Sequence, residues 1–348
     1  MSHELPPPTW RIPGDCATLS GVKRVALLVA HGTISNLDDL PDFLKEIRRG
    51  RPAPPELLAE LRHRYEAVGG SPHFAETEAQ ARALSERLGM ETRTAMRLWH
   101  PKVAEVVSDL GAEDEVILVP LAPFSVDVYE QAARAELAAQ KVPPTIRCIE
   151  PFGQMPALIS AHVDTIEATL RLLSERGFDN ELSDNKPSSN KPSSNKPSSE
   201  APFELSSCRV ILTAHSLPTA VIRAGDGYER QFRETTRLVS ERLSCETATA
   251  YQSQGASGGE WLGPTLLETM EQAVRDKIKH IVVAPIGFLS EHVETLYDLD
   301  IEAHGQAQKM KLGWSRVATL RTHEGLISAL ASAVEAAVGT LSRKASQI

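Results

Sequence analysis

The chain never places two cysteines close together. Cys16, Cys148, Cys208 and Cys245 are scattered, and no CxxC pair occurs, so the spacing of a zinc ribbon or a redox dithiol is missing. An iron–sulfur cluster would have to gather thiolates from four distant positions, and none is expected. No stretch approaches the roughly 18 apolar residues of a spanning helix. The start, MSHELPPPTWRIPGD, has neither the basic beginning nor the apolar core of a signal peptide. A cytoplasmic protein is therefore expected. Net charge is -9, and no cluster of Lys and Arg resembles a nucleic-acid footprint, which argues against nucleic acid as a partner. HExxH and GxxxxGK[ST] are absent as well, removing zinc peptidases and P-loop enzymes.

What is present is a repeat. VALLVAHGT (25–33) and RVILTAHSL (209–217) both read as buried strands ending in Ala-His. Each is followed downstream by a Trp and a nearby Pro that open a helical run, WHPKVAEVV (99–107) and WLGPTLLETM (261–270). An apolar strand breaking at proline comes next, VILVPLAPFS (116–125) and HIVVAPIGFLS (280–290). Helical spacing lies between the strands: Leu57, Leu61, Tyr65 and Val68 after Pro54-Pro55, Ile159 to Leu173 before Gly177, and Phe232, Thr236, Val239 and Leu243. Short apolar strands alternating with such helices predict an α/β protein of two similar doubly wound, parallel-sheet (Rossmann-like) lobes with a cleft between them. A hydrophobic fraction of 41% is ordinary for a globular protein, and the length suits about two domains of 100–200 residues.

The expected organisation is an N-terminal extension over 1–22, lobe 1 over 23–150, a helical connection over 151–178 and lobe 2 over 204–335, with a tail over 336–348. Between connection and lobe 2, residues 179–203 carry NKPSS three times in tandem. Such a composition cannot bury enough apolar surface to offset the entropy of ordering, and a disordered insertion is expected.

Open parallel sheets bind ligands at the carboxyl ends of their strands. His215 in TAHSLP lies there, and so does its repeat partner His31. Neutral imidazole suits iron, zinc, copper or nickel and also accepts protons near neutral pH. The second constellation is SEHVETLYDLDIEAHG (290–305), where Glu294, Asp298 and Glu302 are spaced i, i+4, i+8 and share one row of a helix. Like charges at that spacing cost a helix about 0.2–0.5 kcal/mol per pair, and no Lys or Arg between Ser290 and Gln308 offsets them. Either the row is a solvated acidic face, or it guides a cation. Imidazole with carboxylate and no cysteine suits a borderline-to-hard divalent metal. GASGG (255–259) reads as a loop, and nothing marks an oxyanion hole for Ser216.

These motifs resemble the ferrochelatases over roughly residues 24–335. TAHSLP (213–218), GDGYERQ (225–231), YQSQGASGGEWLGP (251–264) and PIGFLSEHVETLYDLD (285–300) follow in the family's order, as do IRRGRP (47–52), RYEAVGGSP (64–72) and MRLWHP (96–101). YQSQG with WLGP, ETLYDLD and IRRGRP are similar to the coproporphyrin branch. The resemblance implies insertion of Fe2+ into a porphyrin in haem biosynthesis, with coproporphyrin III preferred over protoporphyrin IX and both metal and porphyrin as substrates. It implies His215 and Glu294 as the catalytic, metal-facing pair, continued outward by Asp298 and Glu302. Arg48, Arg64 and Ser71 correspond to positions that hold propionates, Tyr228, Ser253 and Trp261 fall among the matching motifs and are expected to line the porphyrin, and in the departing segment 120–129 a hydroxyl contact to a propionate is either missing or supplied by Ser125. His31 stands where that branch usually has tyrosine; it either ligates product iron or hydrogen-bonds the strand end. The segment 120–129 is shorter than its counterpart there. No resident cofactor is implied, and a monomer with only transient contacts to neighbouring haem-pathway enzymes is expected. Two other readings stay open: a cobalt or iron chelatase for sirohydrochlorin, and a non-catalytic haem or metal carrier.

Overall fold

Among the described residues the protein forms two four-stranded sheets of the same topology. The structure, a computed structural model, describes residues 22–176, 204–255 and 258–345; the NKPSS repeat and most of the 1–22 extension lie outside them. In lobe 1 the chain runs β1 (Arg24–Ala30), α1 (Leu40–Ile47), α2 (Pro55–Val68), α3 (His73–Leu88), β2 (Thr92–Met96), α4 (Val103–Val106), β3 (Glu115–Pro120), α5 (Asp127–Leu137) and β4 (Thr145–Cys148). The connecting helix α6 spans Pro156–Arg176. Lobe 2 follows with β5 (Cys208–His215), α7 (Thr219–Arg223), α8 (Tyr228–Ser240), β6 (Glu246–Gln252), α9 (Leu266–Arg275) and β7 (His280–Ala284). It ends with α10 (Val293–Leu296), a π-helical segment (Asp298–Ala303), α11 (His304–Lys309), β8 (Gly313–Arg316) and α12 (Glu324–Ala345). Strand orders are β2-β1-β3-β4 and β6-β5-β7-β8, and every pairing is parallel.

The central strands are apolar on both faces because helices cover both sides, as parallel sheets require. Alternate residues point to opposite faces. In sheet 1, Val25, Leu27 and Val29 face α4 and α5, while Leu28, Ile117 and Val119 face a layer that includes α12. In sheet 2, Val210 and Leu212 pack on Phe232 and Val239 of α8 and on Ile159, Val163 and Ile166 of α6. On its other face, Ile211, Ile281 and Val283 pack on Leu266 and Met270 of α9 and on Leu299 and Ala303 of the π-helical segment.

Helix ends follow local chemistry. Thr265 and Glu268 cap α9 reciprocally, Thr265 Oγ accepting from Glu268 N at 3.2 Å and Glu268 Oε2 from Thr265 N at 2.8 Å. Gly69 closes α2 at φ 74° in the left-handed region.

The repeat recurs at the turns. His100-Pro101 and Gly263-Pro264 are both cis, and the two proline carbonyls accept from Met96 N at 2.7 Å and Tyr251 N at 2.8 Å. Helix α12 is among the elements that break the symmetry. It leaves lobe 2 and lays Leu326, Leu330 and Val334 against sheet 1, and it runs on through position 335 to Ala345.

Candidate active site

In each sheet the first strand is flanked by the strands that follow it on opposite sides, so a crevice opens at its carboxyl end. His31 directly follows β1 and His215 ends β5. Tyr228 of α8 fixes the second of these strand ends by donating its hydroxyl to the His215 carbonyl at 2.8 Å. The His215 ring is then oriented by Nδ1, 2.5 Å from the Ser216 carbonyl oxygen. A carbonyl only accepts, so Nδ1 carries the proton and Nε2 of the neutral ring keeps a free lone pair. That atom lies 3.6 Å from Glu294 Oε1.

Glu294 arrives because the loop after β7 crosses tightly over β5. A Cβ on Gly287 would fall 2.6 Å from Ala214 Cβ, so only glycine permits the crossing. His292 then caps α10, its Nδ1 accepting from the backbone N of Glu294 at 3.1 Å and of Thr295 at 3.2 Å. Fully buried Glu291 anchors the turn from behind, accepting from Arg316 Nη1 at 2.9 Å, Thr319 N at 3.0 Å and Thr295 Oγ1 at 2.6 Å. Arg316 also grips Asp300, at 2.5 and 2.9 Å.

The acidic segment is not one regular α-helix. Glu302 N bonds to the Tyr297 carbonyl five residues back, at 3.0 Å, which is the π pattern common at functional sites. Its acidic row is also offset from outside. Arg64 of α2 reaches Asp298 at 2.7 Å and Glu302 at 3.8 Å while also pairing with Glu60. Ser253 Oγ donates to Asp298 Oδ2 at 2.5 Å. The structure thus joins His215, Glu294, Asp298, Glu302, Arg64 and Ser253 into one cluster.

Electrostatics differ along this cluster. Burial opposes the charged form of both His215 and Glu294, but their mutual attraction wins; the imidazole pKa is raised and the carboxyl pKa lowered. Both tips remain open to the cleft, with side chains 32% and 45% exposed. Asp298 is pushed up to about 6 by burial, with Glu294 and Glu302 adding to the effect and Ser253 and Arg64 opposing it. Beside the row lies a cavity of about 300 Å³ lined by Arg64, Ser253, Met270, Asp298, Glu302 and Gln306; neither His215 nor Glu294 lines it. Among the described residues, no group of three or more His, Cys, Asp or Glu is arranged to hold a metal ion by itself.

Lobe 1 presents a different wall. The register Ala30↔Met96 sets Arg97 beside His31, with Arg97 N bonded to the Ala30 carbonyl at 2.9 Å and Leu98 N to the His31 carbonyl at 3.0 Å. Tyr129 of α5 lies under the Arg97 guanidinium, Cζ 5.1 Å from the ring centroid. No hydrogen bond from the His31 ring occurs among the described residues, so the ring does not tie down its strand end. The surrounding protein, and then Arg97, pull the His31 pKa down to about 4.

The remaining candidates stand outside the His215–Glu294–Asp298 cluster. Arg48 Nε bonds the Pro52 carbonyl at 3.2 Å, Ser71 lies at the start of α3 with its Oγ 3.4 Å from His73 N, and Ser125 is half-buried before α5. Tyr228 is 8% exposed and packs with Phe124 and Phe232, so it supports the strand end from the core. Trp261 sits over Gly255, whose added Cβ would lie 2.7 Å from the indole, which explains that glycine of GASGG. Sequence reasoning missed Arg97, Tyr129, His292 and the Glu291–Arg316–Asp300 network. The repeat held a signal for one of them, because Arg97 follows Met96 as Gln252 follows Tyr251 in the matching strand.

Comparison with known proteins agrees with this geometry. The ferrochelatase family profile matches residues 23–338. A ferrochelatase of Acidobacterium capsulatum is 32% identical over 342 residues, covering 92% of this chain and 96% of that protein. A coproporphyrin III ferrochelatase of Anoxybacillus flavithermus is 32% identical over 324 residues, covering 88% and 94%. In fold, the chain is similar to the solved structure of CbiX, the terminal enzyme of siroheme biosynthesis in denitrifying bacteria, with TM-score 0.53 and 13% identity over 89% of this chain and 98% of that one. With a cleft-facing His–Glu pair on a duplicated chelatase fold and a family match across nearly its whole length, the chain belongs to the ferrochelatases, enzymes that insert a metal ion into a porphyrin.

Proposed function

We propose that the protein inserts Fe2+ into coproporphyrin III, forming coprohaem, with His215 and Glu294 as the reacting side chains. The observation that carries the chemistry is the His215 geometry: Nδ1 is committed to the Ser216 carbonyl while Nε2 faces the cleft and Glu294. A porphyrin loses two pyrrole protons as it takes up a divalent metal. His215 Nε2 is placed to accept the two protons in turn, passing each to water at the open cleft, and the neighbouring Glu294 carboxylate balances the imidazolium formed each time. Glu294 also begins the carboxylate row along which the cation arrives, with Asp298 and Glu302 behind it. In this reading iron is a substrate and no resident cofactor is needed; the enzyme works as a cytoplasmic monomer.

The choice of coproporphyrin is supported by the names of relatives such as the Anoxybacillus flavithermus enzyme and by the α1–α2 turn. Arg48, Arg49 and Arg51 lie there, and among the described residues none of them has a carboxylate within ion-pair distance. The flanking helices pack Phe43 and Tyr65 with Val293 of the active-site helix. Guanidinium forks suit carboxylates, and coproporphyrin brings four propionates where protoporphyrin brings two. Anaerobic Fe2+ insertion by purified protein into the two porphyrins in parallel, followed by loss of porphyrin fluorescence, tests this. The expected result is faster turnover of coproporphyrin, with the preference reduced in Arg48→Ala. Faster turnover of protoporphyrin would overturn the substrate assignment.

A further inference from the structure

The two walls of the cleft are built from equivalent positions with opposite charge. By strand register, His31 corresponds to His215 and Arg97 to Gln252. Val119 pairs with Leu28 and Ala284 with Leu212. Counting about ten residues on from these partners reaches Tyr129 and Glu294, each in the first turn of the next helix. Lobe 2 therefore presents imidazole, neutral amide and carboxylate; lobe 1 presents imidazole, guanidinium and phenol.

Among the described arginines, Arg97 combines a buried, unpartnered Nε with the lack of a carboxylate partner, two features that do not otherwise coincide. It is half-buried, its Nε has no hydrogen-bond partner, and no carboxylate lies within 4 Å of it among the described residues. Its one described side-chain contact is the Tyr129 ring. Most buried charge is paired, so an unpaired guanidinium kept beside an open imidazole calls for a reason.

We propose that Arg97 makes the lobe 1 wall repel cations, so that the divalent metal approaches the macrocycle only from the Glu294 wall and is not captured unproductively by His31. Without Arg97, His31 would be a neutral, unbonded imidazole at a strand end, equivalent to the one that faces metal in lobe 2. A unit positive charge one side chain away weakens binding of a divalent ion roughly tenfold or more at protein-like dielectric. Stacking on Tyr129 holds the guanidinium without neutralising it. The low proton affinity of His31 is a second expression of the same field, in which Arg97 is the largest cause after burial.

This rests on the reading of His215 and Glu294 as the metal-facing pair, and the experiment keeps the two apart. The full-length protein without porphyrin is titrated with Co2+, reading bound metal by equilibrium dialysis and ligand field by visible absorption. Arg97→Gln, which installs the lobe 2 residue, is expected to bind one additional Co2+ at least tenfold tighter than any such event in the parent. The additional site is lost in Arg97→Gln with His31→Ala and is absent in Arg97→Lys. In turnover assays Arg97→Gln shows inhibition by excess metal, again relieved by His31→Ala. Unchanged Co2+ stoichiometry in Arg97→Gln, or an additional site that survives removal of His31, overturns the proposal. Should Arg97→Gln not fold, the parent decides: His31→Ala leaves Co2+ stoichiometry unaltered if Arg97 guards His31, and lowers it if His31 is already a metal site. Failure of the His215–Glu294 reading has a separate signature, normal turnover in His215→Ala.

Discussion

His31 and His215 close matching strands of matching sheets, yet their surroundings drive them in opposite directions. The lobe 2 ring faces a carboxylate 3.6 Å away and gains proton affinity. The lobe 1 ring loses proton affinity, to about 4, first through burial and then through the arginine beside it. Duplication therefore supplied the framework, and in the proposed reading a few residues at the strand ends divided the labour. The backbone turns, including Met96 N to the Pro101 carbonyl and Tyr251 N to the Pro264 carbonyl, remain superimposable in pattern.

The largest expected effect separates the two imidazoles in turnover. His215→Ala or Glu294→Gln should lower kcat about 10²–10⁴-fold, the usual worth of positioned proton transfer, with porphyrin binding retained in a fluorescence-quenching titration. His31→Ala should cost at most about tenfold. Equal losses from both histidines would end the division of labour.

A second contrast concerns the buried carboxylates that brace each lobe. Glu291 is fully buried on Arg316, itself 10% exposed, so Arg316→Met should cost about 3–5 kcal/mol by stranding a buried charge. In lobe 1, Glu115 is shared by Arg24 and Arg147, both more than 30% exposed. Losing Arg147 leaves the second arginine and water, and Arg147→Met should cost about 1 kcal/mol or less. Urea unfolding of both variants compares them; similar losses would mean that the active-site helix is not specially braced.

The smallest effect is one of slope with pH. His215, raised on folding, contributes stability that is whole below its unfolded value near 6.5 and is lost as pH rises through the folded value. His31, lowered to about 4, is neutral in both states above about 6.5 and costs stability as pH falls from there toward 4. The Tm deficit of His215→Asn should therefore shrink as pH rises. That of His31→Asn should shift in the variant's favour as pH falls. Parallel trends would contradict the opposed fields.

Much of the fold was legible because both faces of β1, β3, β5 and β7 are covered, which leaves short apolar runs bounded by His, Pro and Gly. The spacing at Leu57, Leu61 and Tyr65 likewise marked α2. That His215 and Glu294 lie together could be expected because strand ends gather polar groups and the repeat pointed to one of them. The π-helical segment could not be read from spacing. Its form accompanies anchors made far away in sequence, Arg316 on Asp300 and Glu291, and Leu299 in the core beneath sheet 2. Beyond its reading as a substrate clamp, Arg64 is brought by α2 onto Asp298 and Glu302. A local search for compensating charge between Ser290 and Gln308 has no means of finding such a partner.

Helix α12 gives the architecture an order in time. The apolar face of sheet 1 that includes Leu28, Ile117 and Val119 is sealed by Leu326, Leu330 and Val334. A ribosome adding about 5–20 residues per second makes those strands long before the helix that covers them. The first lobe to be synthesised is thus the last to be completed, and its exposed face must wait, shielded or chaperoned, until the second lobe has emerged.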